Sequence, residues 1–242
     1  MQSHFLPFRN NRVHYLQFGA GPELLFALHG FADRARIFVL LEPALARHYT
    51  VVAIDWPFHG QTDWQANTFS KADLLDIIQT IAERRGKQRF SVLAYSFGAR
   101  LAQAMLPELA PQLNRFYLLA PDGVNTKGMS MATHTPMWLR RLLMRILRRP
   151  GWFVTLLDWA RRIRLVPPMI HHFLTNNLTR PERFQRTFGC WLAMDSFYLG
   201  RRKIKALLQE TGLRTDIYVG ENDQVVTPKS LQQMVKGLPN VR

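Results

Sequence analysis

Short apolar runs, separated by segments with helical spacing, most limit the folds open to this chain. Leu24 to Leu28, Thr50 to Asp55 and Phe90 to Tyr95 are runs of this kind. Such runs are typical of strands buried on both faces of a sheet. A helix is predicted over Phe69 to Arg85, where the apolar residues recur at helical intervals. Strands that alternate with helices predict an α/β protein with a doubly wound, mostly parallel sheet.

The same alternation continues at both ends of the chain. Two apolar runs on either side of Asn10 and Asn11 predict an N-terminal β-hairpin with these asparagines in its turn. Further strands are predicted at Phe116 to Ala120 and Thr215 to Gly220, and Leu238 to Arg242 leads toward another. The remaining predicted helices run from Phe97 to about Leu106, from Ile204 to Leu208 and from Pro228 to Lys236.

The middle of the chain breaks this rhythm. Between Gly128 and Gly200 the pattern predicts consecutive short helices without a strand. We therefore expect an inserted helical cap at 128–200, between a first part of the core at 1–127 and a second part at 201–242. Two segments of the cap, 138–149 and 152–164, have apolar and arginine stripes at helical spacing, which predicts amphipathic helices.

The net charge of +15 is concentrated in this middle region. Sixteen Lys and Arg lie between Lys127 and Lys205, against Asp158, Glu182 and Asp195. One interpretation is that the apolar stripes cover an active site while the arginines are solvated. The alternatives are contact with an anionic membrane surface or docking of an acidic acyl carrier. Nucleic acid binding is not expected, because no recognition motif accompanies the charge.

Several classes of protein are excluded by composition. Cys190 is the only cysteine, so neither an internal disulfide nor a thiolate metal cluster is expected. No run approaches the roughly 18 apolar residues of a membrane-spanning helix, and the N-terminus lacks the layout of a signal peptide. We therefore expect a cytoplasmic protein. No glycine loop that would cradle a phosphate is present, so no metal, nucleotide or organic cofactor is expected.

The segment Ala94-Tyr95-Ser96-Phe97-Gly98 carries the sharpest chemical signal, because it joins a predicted buried strand directly to a predicted helix. A serine there lies on a tight turn that requires small residues two positions before and after it, and Ala94 and Gly98 meet that requirement. The N–H groups at the start of the helix favour negative charge beside Ser96. The alternative is a serine that only caps the helix.

This segment resembles the nucleophile elbow of the α/β-hydrolase superfamily, with Ala94 in place of the first glycine. His29-Gly30-Phe31 resembles the oxyanion loop of the same superfamily. The resemblance implies that Ser96 is the nucleophile and that the N–H groups of Phe31 and Phe97 hold the oxyanion. His29, Gly30 and Gly98 are expected to shape these loops.

The predicted catalytic acid is Asp223, because Gly220 to Pro228 resembles the acid loop of α/β-hydrolases. Asp122 is the second candidate, since some relatives place the acid after the earlier strand. The segment Asp55 to Gly60 resembles a further loop of these families, and we expect it, with His59, to be structural.

The resemblance places the catalytic histidine after the acid, on a loop that follows one more strand. All eight histidines of this sequence precede Asp223. We therefore expect that the last strand, catalytic loop and final helix are absent from these 242 residues, and that the chain as given lacks full activity.

The function that the resemblance implies is hydrolysis of a carboxylic ester of an acyl or aromatic small molecule through an acyl-enzyme. The alternatives are a C–C bond hydrolase or an acyltransferase of the same fold, and a non-catalytic protein that binds a ligand or partner.

Overall fold

The computed structural model describes residues 1–122, 136, 138, 139, 142, 145, 151–223 and 226–242. Seven strands of this part of the chain form one sheet. They are β1 (Gln2–Phe8), β2 (Asn11–Phe18), β3 (Glu23–Leu28), β4 (Tyr49–Ile54), β5 (Phe90–Tyr95), β6 (Leu113–Leu119) and β7 (Thr215–Tyr218). The described α-helices are α1 (Glu42–Leu45), α2 (Lys71–Arg84), α3 (Phe97–Leu109), α4 (Gly151–Arg162), α5 (Pro168–Leu178), α6 (Pro181–Ala193), α7 (Arg201–Thr211) and α8 (Pro228–Val235).

The strand order is β1-β2-β4-β3-β5-β6-β7. The strands β1 and β2, and β2 and β4, pair antiparallel, whereas all other neighbours pair parallel. The predicted doubly wound, mostly parallel sheet is therefore confirmed. Val241 forms a parallel bridge with Thr215, so the chain at Val241 runs beside β7 as the sequence indicated.

The N-terminal hairpin is present, but its turn differs from the prediction. The turn lies at Arg9 and Asn10, and Asn11 already belongs to β2. Arg9, and neither of the two asparagines, has a positive φ, at 52°. Phe8 pairs with Asn11 in the observed register, and a shift of one residue would turn the buried side chains of the shifted strand to the opposite face.

The sheet is covered on both faces, and β3 and β5 contribute side chains to each. Phe26 and Val92 belong to the apolar cluster that packs under α2 and α3. Leu25 and Leu93 belong to the cluster on the opposite face. The helix α2 begins with a cap at Ser70, whose side chain accepts a hydrogen bond from the backbone of Asp73 and completes a capping box.

The helices α4, α5 and α6 form a layer with its own small core of Leu157, Leu178 and Phe188. The end of α6 packs into the main core through Cys190 and Ala193. Much of the predicted helix at 138–149, and the predicted boundary near residue 128, lie outside the described residues. In the portion that the structure describes, no helix is both long and apolar enough to cross a bilayer.

Candidate active site

Ser96 lies in the turn between β5 and α3 with a strained backbone, at φ 50° and ψ −116°. Such a conformation costs a non-glycine residue about 1–3 kcal/mol, and surrounding structure must hold it. The Ser96 N–H donates to the Leu119 carbonyl at 2.9 Å, and its carbonyl accepts from the Asp122 N–H at 3.2 Å. The Ser96 side chain makes no capping hydrogen bond to α3. Ser96 is thus a half-buried residue in a strained turn that does not cap the helix with its side chain.

Small residues let the loop after β3 lie directly against this turn. A Cβ on Gly98 would lie 2.2 Å from the Leu28 carbonyl oxygen and 2.6 Å from that of His29. A Cβ on Gly30 would lie 3.4 Å from the Ser96 Cβ. The structure therefore brings the two predicted motifs, at Ser96 and at Gly30, into contact.

The two predicted oxyanion donors also lie on adjoining segments. The rings of Phe31 and Phe97 pack edge to face, with their centroids 6.3 Å apart. Phe97 is the first residue of α3, so its N–H has no acceptor within the helix. Among the described hydrogen bonds, neither the Phe31 N–H nor the Phe97 N–H has an acceptor. Donors left unused beside a candidate nucleophile suit a developing oxyanion.

His59 fastens its own loop to the loop after β3. Its Nδ1–H donates to the Pro57 carbonyl at 2.9 Å, and its Nε2 accepts from the Ala32 N–H at 3.1 Å. Burial, reinforced by the neighbouring His29, lowers the pKa of His59 to about 2. Both ring nitrogens are occupied, so His59 is placed as a structural residue and not as a base.

His29 is fully buried beneath the same loop. Its Nδ1 lies 2.8 Å from the Gly30 carbonyl oxygen, and the Trp56 indole N–H donates to the His29 carbonyl at 3.1 Å. Its Nε2 faces Asp55 at 3.7 Å. Burial lowers the pKa of His29. The ring is thus held inside the loop that it was expected to shape.

The low pKa of His59 leads to a prediction about stability. Because His59 stays neutral in the folded chain and protonates near 6.5 when unfolded, its contribution is complete above pH 6.5 and declines as the pH falls toward about 2. We expect His59→Gln to reduce the pH dependence of the free energy of unfolding by up to about 1.4 kcal/mol per pH unit. Urea denaturation between pH 4.5 and 7.5 measures this slope, and equal slopes in both proteins would contradict the assignment.

Asp55 organises the loop that follows β4. Its buried carboxylate accepts from the N–H groups of Ala35 at 2.6 Å and Gln61 at 3.0 Å, and it pairs with His14 Nδ1 at 2.6 Å. A Cβ on Gly60 would collide with this carboxylate. His14 was not singled out from the sequence, since only the pairing of β2 with β4 brings it to Asp55.

Asp122 lies close to Ser96, but its carboxylate is held by Arg100. The guanidinium donates to both carboxylate oxygens, through Nε at 3.0 Å and Nη2 at 3.2 Å. Arg100 is only 5% exposed although it lies in the first turns of α3. Sequence reasoning missed Arg100, whose one signal is a cation within the apolar run of that helix. The pair fixes the segment whose N–H bonds the Ser96 carbonyl.

Asp223 follows β7, and its N–H donates to the Gly220 carbonyl at 3.1 Å. One of its carboxylate oxygens accepts from the Val226 N–H at 2.8 Å. The strands β5, β6 and β7 are parallel neighbours, so the residues that follow them share one edge of the sheet. Asp223 therefore lies along the same edge as Ser96, two strands away.

The described histidines do not supply a base for Ser96. Within the described residues, no histidine ring is hydrogen-bonded to the Ser96 hydroxyl. His171 is bonded to Asp158 at 2.7 Å, and His172 to Asn176. His134 lies outside the described residues. No cluster of histidine, cysteine and carboxylate side chains that could hold a metal ion occurs in the described part of the chain.

Residues 23–242 match the model of the α/β-hydrolase fold family. Over 112 residues the chain is 27% identical to the dihydrolipoyllysine-residue acetyltransferase component of the acetoin cleaving system of Cupriavidus necator. That segment covers 46% of this chain and 30% of that protein. Over 144 residues it is 25% identical to the 2-hydroxy-6-oxononadienedioate/2-hydroxy-6-oxononatrienedioate hydrolase of Escherichia coli K12, which is 57% of this chain and 49% of that protein. The chain thus spans half or less of the length of these relatives.

Solved structures share the fold at lower identity. A hydrolase from Pseudomonas aeruginosa superposes with a TM-score of 0.66 at 16% identity, over 99% of this chain and 88% of that one. The thioesterase domain from the curacin biosynthetic pathway superposes with a TM-score of 0.69 at 17% identity, over 100% and 91%. At this level of identity the likeness establishes the architecture alone.

Proposed function

This chain belongs to the α/β-hydrolase fold family, and on that premise we propose that it is part of an enzyme that hydrolyses carboxylic esters through an acyl-enzyme on Ser96. The observation that carries the proposal is the strained backbone of Ser96, at φ 50°, beside two N–H groups without acceptors in the described structure. A turn that stores strain to expose one hydroxyl is typical of a functional site.

In the proposed reaction the Ser96 hydroxyl oxygen attacks the ester carbonyl carbon and loses its proton to a general base. The former carbonyl oxygen becomes an oxyanion, which the Phe31 and Phe97 N–H groups stabilise by about 3 kcal/mol each. The intermediate then collapses, the C–O bond to the alcohol breaks, and the alcohol takes the proton. A water molecule then attacks the acyl-enzyme carbonyl carbon through the same steps, and the carboxylic acid is released.

The proposed acid is Asp223, which would orient the general base and stabilise its protonated form. The family resemblance places that base on a histidine after Asp223 in chain order, and none of these 242 residues fits that position. His59 is a poor alternative, because both ring nitrogens are bonded and its pKa is about 2. The general base is therefore not assigned to any of these residues, and the activity is proposed for the full-length protein.

The proposed substrate class follows from the aromatic surroundings of Ser96. Phe97 packs against Phe31, and it stacks on Trp56 with ring centroids 5.2 Å apart. Rings at this position suit an apolar acyl chain or an aromatic group beside the scissile bond.

Three other functions have specific support. C–C bond hydrolysis is favoured by the likeness to the 2-hydroxy-6-oxononadienedioate hydrolase, and acyl transfer by the acetyltransferase component. A non-catalytic binding protein is favoured by the lack of a histidine bonded to Ser96 among the described residues. Labelling of the serine, described next, and assays with ester and diketone substrates distinguish these alternatives.

The test of the proposed function is labelling of the complete gene product with a fluorophosphonate probe, followed by tryptic digestion. We expect the adduct on the peptide Phe90 to Arg100, at Ser96 and not at Ser91. The heat-denatured protein is the control, because an unactivated serine does not react. Absence of labelling, or labelling only of other peptides, would favour the binding protein.

A further inference from the structure

The helix α4 presents a row of large apolar side chains to solvent. Trp152, Leu156 and Trp159 recur every three or four residues on one side of the helix, and Ile163, in the turn that follows, continues the row through its N–H bond to the Trp159 carbonyl at 3.2 Å. These side chains are 55%, 48%, 56% and 47% exposed, and Leu165 just beyond them is 71% exposed. We call these five residues the α4 stripe.

The α4 stripe is not the face that attaches the helix to the protein. Phe153 and Leu157 lie on the other side of α4 and pack with Leu178 and Phe188 of the neighbouring helices. One apolar face is therefore sufficient to explain why α4 folds against α5 and α6. A second apolar face that contains two tryptophans is typical of a surface that contacts a partner.

Positive charge lies immediately beside the α4 stripe. Arg162 and Arg164 are exposed at the end of the helix, whereas Arg161, also exposed, contacts His171 Nδ1 at 3.2 Å. The chain turns sharply there, since the Leu165 N–H donates back to the Ala160 carbonyl at 2.9 Å, and this keeps Arg164 next to the stripe. The one acidic residue of α4, Asp158, is bonded to His171 at 2.7 Å.

We propose that α4 lies flat on an anionic membrane surface, with the α4 stripe in the boundary between headgroups and acyl chains and the arginines on lipid phosphates. An amphipathic helix with tryptophan and leucine on one side and arginine beside them binds lipid interfaces in this way. The tryptophan ring combines a large apolar area with one N–H donor, which suits that boundary. An acidic carrier protein would need the arginines but not five exposed apolar side chains.

The attachment of α4 places the membrane near the candidate active site. The helix shares an apolar cluster with Phe188 of α6, and a Cβ on Gly189 of α6 would lie 2.3 Å from the ring of Phe58, in the loop that His59 fastens beside Phe31. Membrane binding itself does not depend on the proposed function. The consequence that the esters come from the lipid phase does rest on it.

The test is co-sedimentation of the 242-residue chain with vesicles. We expect binding to vesicles of phosphatidylglycerol and phosphatidylcholine, and little binding to phosphatidylcholine alone or at 1 M salt. Arg162→Gln/Arg164→Gln should weaken binding about thirtyfold at low salt, at about fivefold for each charge. Trp152→Gln/Trp159→Gln should weaken it at least about tenfold.

Matched controls carry the same number of changes on exposed residues elsewhere. Arg84→Gln/Lys87→Gln removes two charges from the end of α2 and its following turn, and Leu40→Gln/Tyr218→Gln removes two exposed apolar side chains. Both should bind as the unaltered chain does. Circular dichroism checks the fold of each variant. Quenching of tryptophan fluorescence by brominated acyl chains tests insertion in the unaltered chain.

Several results would overturn the proposal. Equal binding to neutral vesicles, equal losses in the control variants, or no quenching by brominated lipid would each do so. A dimer that dissociates in Trp152→Gln/Trp159→Gln, without vesicle binding, would assign the stripe to a second copy. Binding to an acidic acyl carrier protein in place of vesicles would assign it to that class of partner.

Discussion

Replacing Ser96 with alanine is expected to lower the rate of ester hydrolysis by the complete gene product at least about a thousandfold. Alanine removes the oxygen that forms the acyl-enzyme and leaves the oxyanion donors and the turn in place. Any residual rate then comes from binding and from the two N–H groups. The measurement is kcat with p-nitrophenyl esters of short and medium acyl chains, because the release of p-nitrophenol is followed directly.

Ser91→Ala is the matched control for this loss. Ser91 lies on the same strand as the elbow and is fully buried, and in the described structure its hydroxyl has no hydrogen-bond partner. We expect kcat to stay within about twofold of the unaltered enzyme, and the free energy of unfolding to stay equal or rise. A Ser96→Ala enzyme that keeps its rate would remove Ser96 from the mechanism. A comparable loss in Ser91→Ala would show that the effect arises from disturbance of β5.

The elbow could be predicted from sequence because its signals are local. An apolar run, a serine and two small residues within nine positions specify a buried strand that turns sharply into a helix. Gly98 meets the Leu28 carbonyl so closely that only glycine fits there. The parallel sheet could be predicted for a similar reason, because parallel neighbouring strands need a crossover connection, which is usually a helix.

The polar contacts that support the site could not be predicted, because they join residues on different elements. Arg100 reaches Asp122 across 22 positions of sequence, and His14 reaches Asp55 across 41. No local pattern encodes such a pair, and only the packing of α3 and the pairing of β2 with β4 create them. The predicted position of the hairpin turn was wrong for a related reason. The positive φ lies at Arg9, where pairing of the flanking strands, and not asparagine preference, places the turn.

The α4 helix shows where periodicity alone becomes ambiguous. The sequence predicts an amphipathic helix over 152–164, but its apolar residues fall on two sides. Which side packs inward depends on Leu178 and Phe188, from helices that follow in sequence. Phe153 and Leu157 pack against these neighbouring helices, whereas Trp152 and Trp159 face solvent, so the interpretation that an apolar stripe covers the site stays a prediction.

Asp223→Asn is expected to lower kcat of the complete gene product about ten-thousandfold, because an amide cannot fix the required tautomer of the histidine or stabilise its charge. The loop itself should survive, since the amide oxygen of asparagine can still accept the hydrogen bond from the Val226 N–H. Steady-state kinetics with the same esters measure the loss. Thermal denaturation shows whether the variant remains folded.

The matched variant Asp122→Asn separates the two candidate acids. The Asp122 carboxylate holds the nearly buried Arg100 through two hydrogen bonds, so its loss should lower the free energy of unfolding by about 3 kcal/mol. If Asp223 is the acid, kcat of the folded Asp122→Asn enzyme should stay within about tenfold of the unaltered value. If the two variants exchange these phenotypes, the acid lies after β6, and the Arg100 pair must open in the active enzyme.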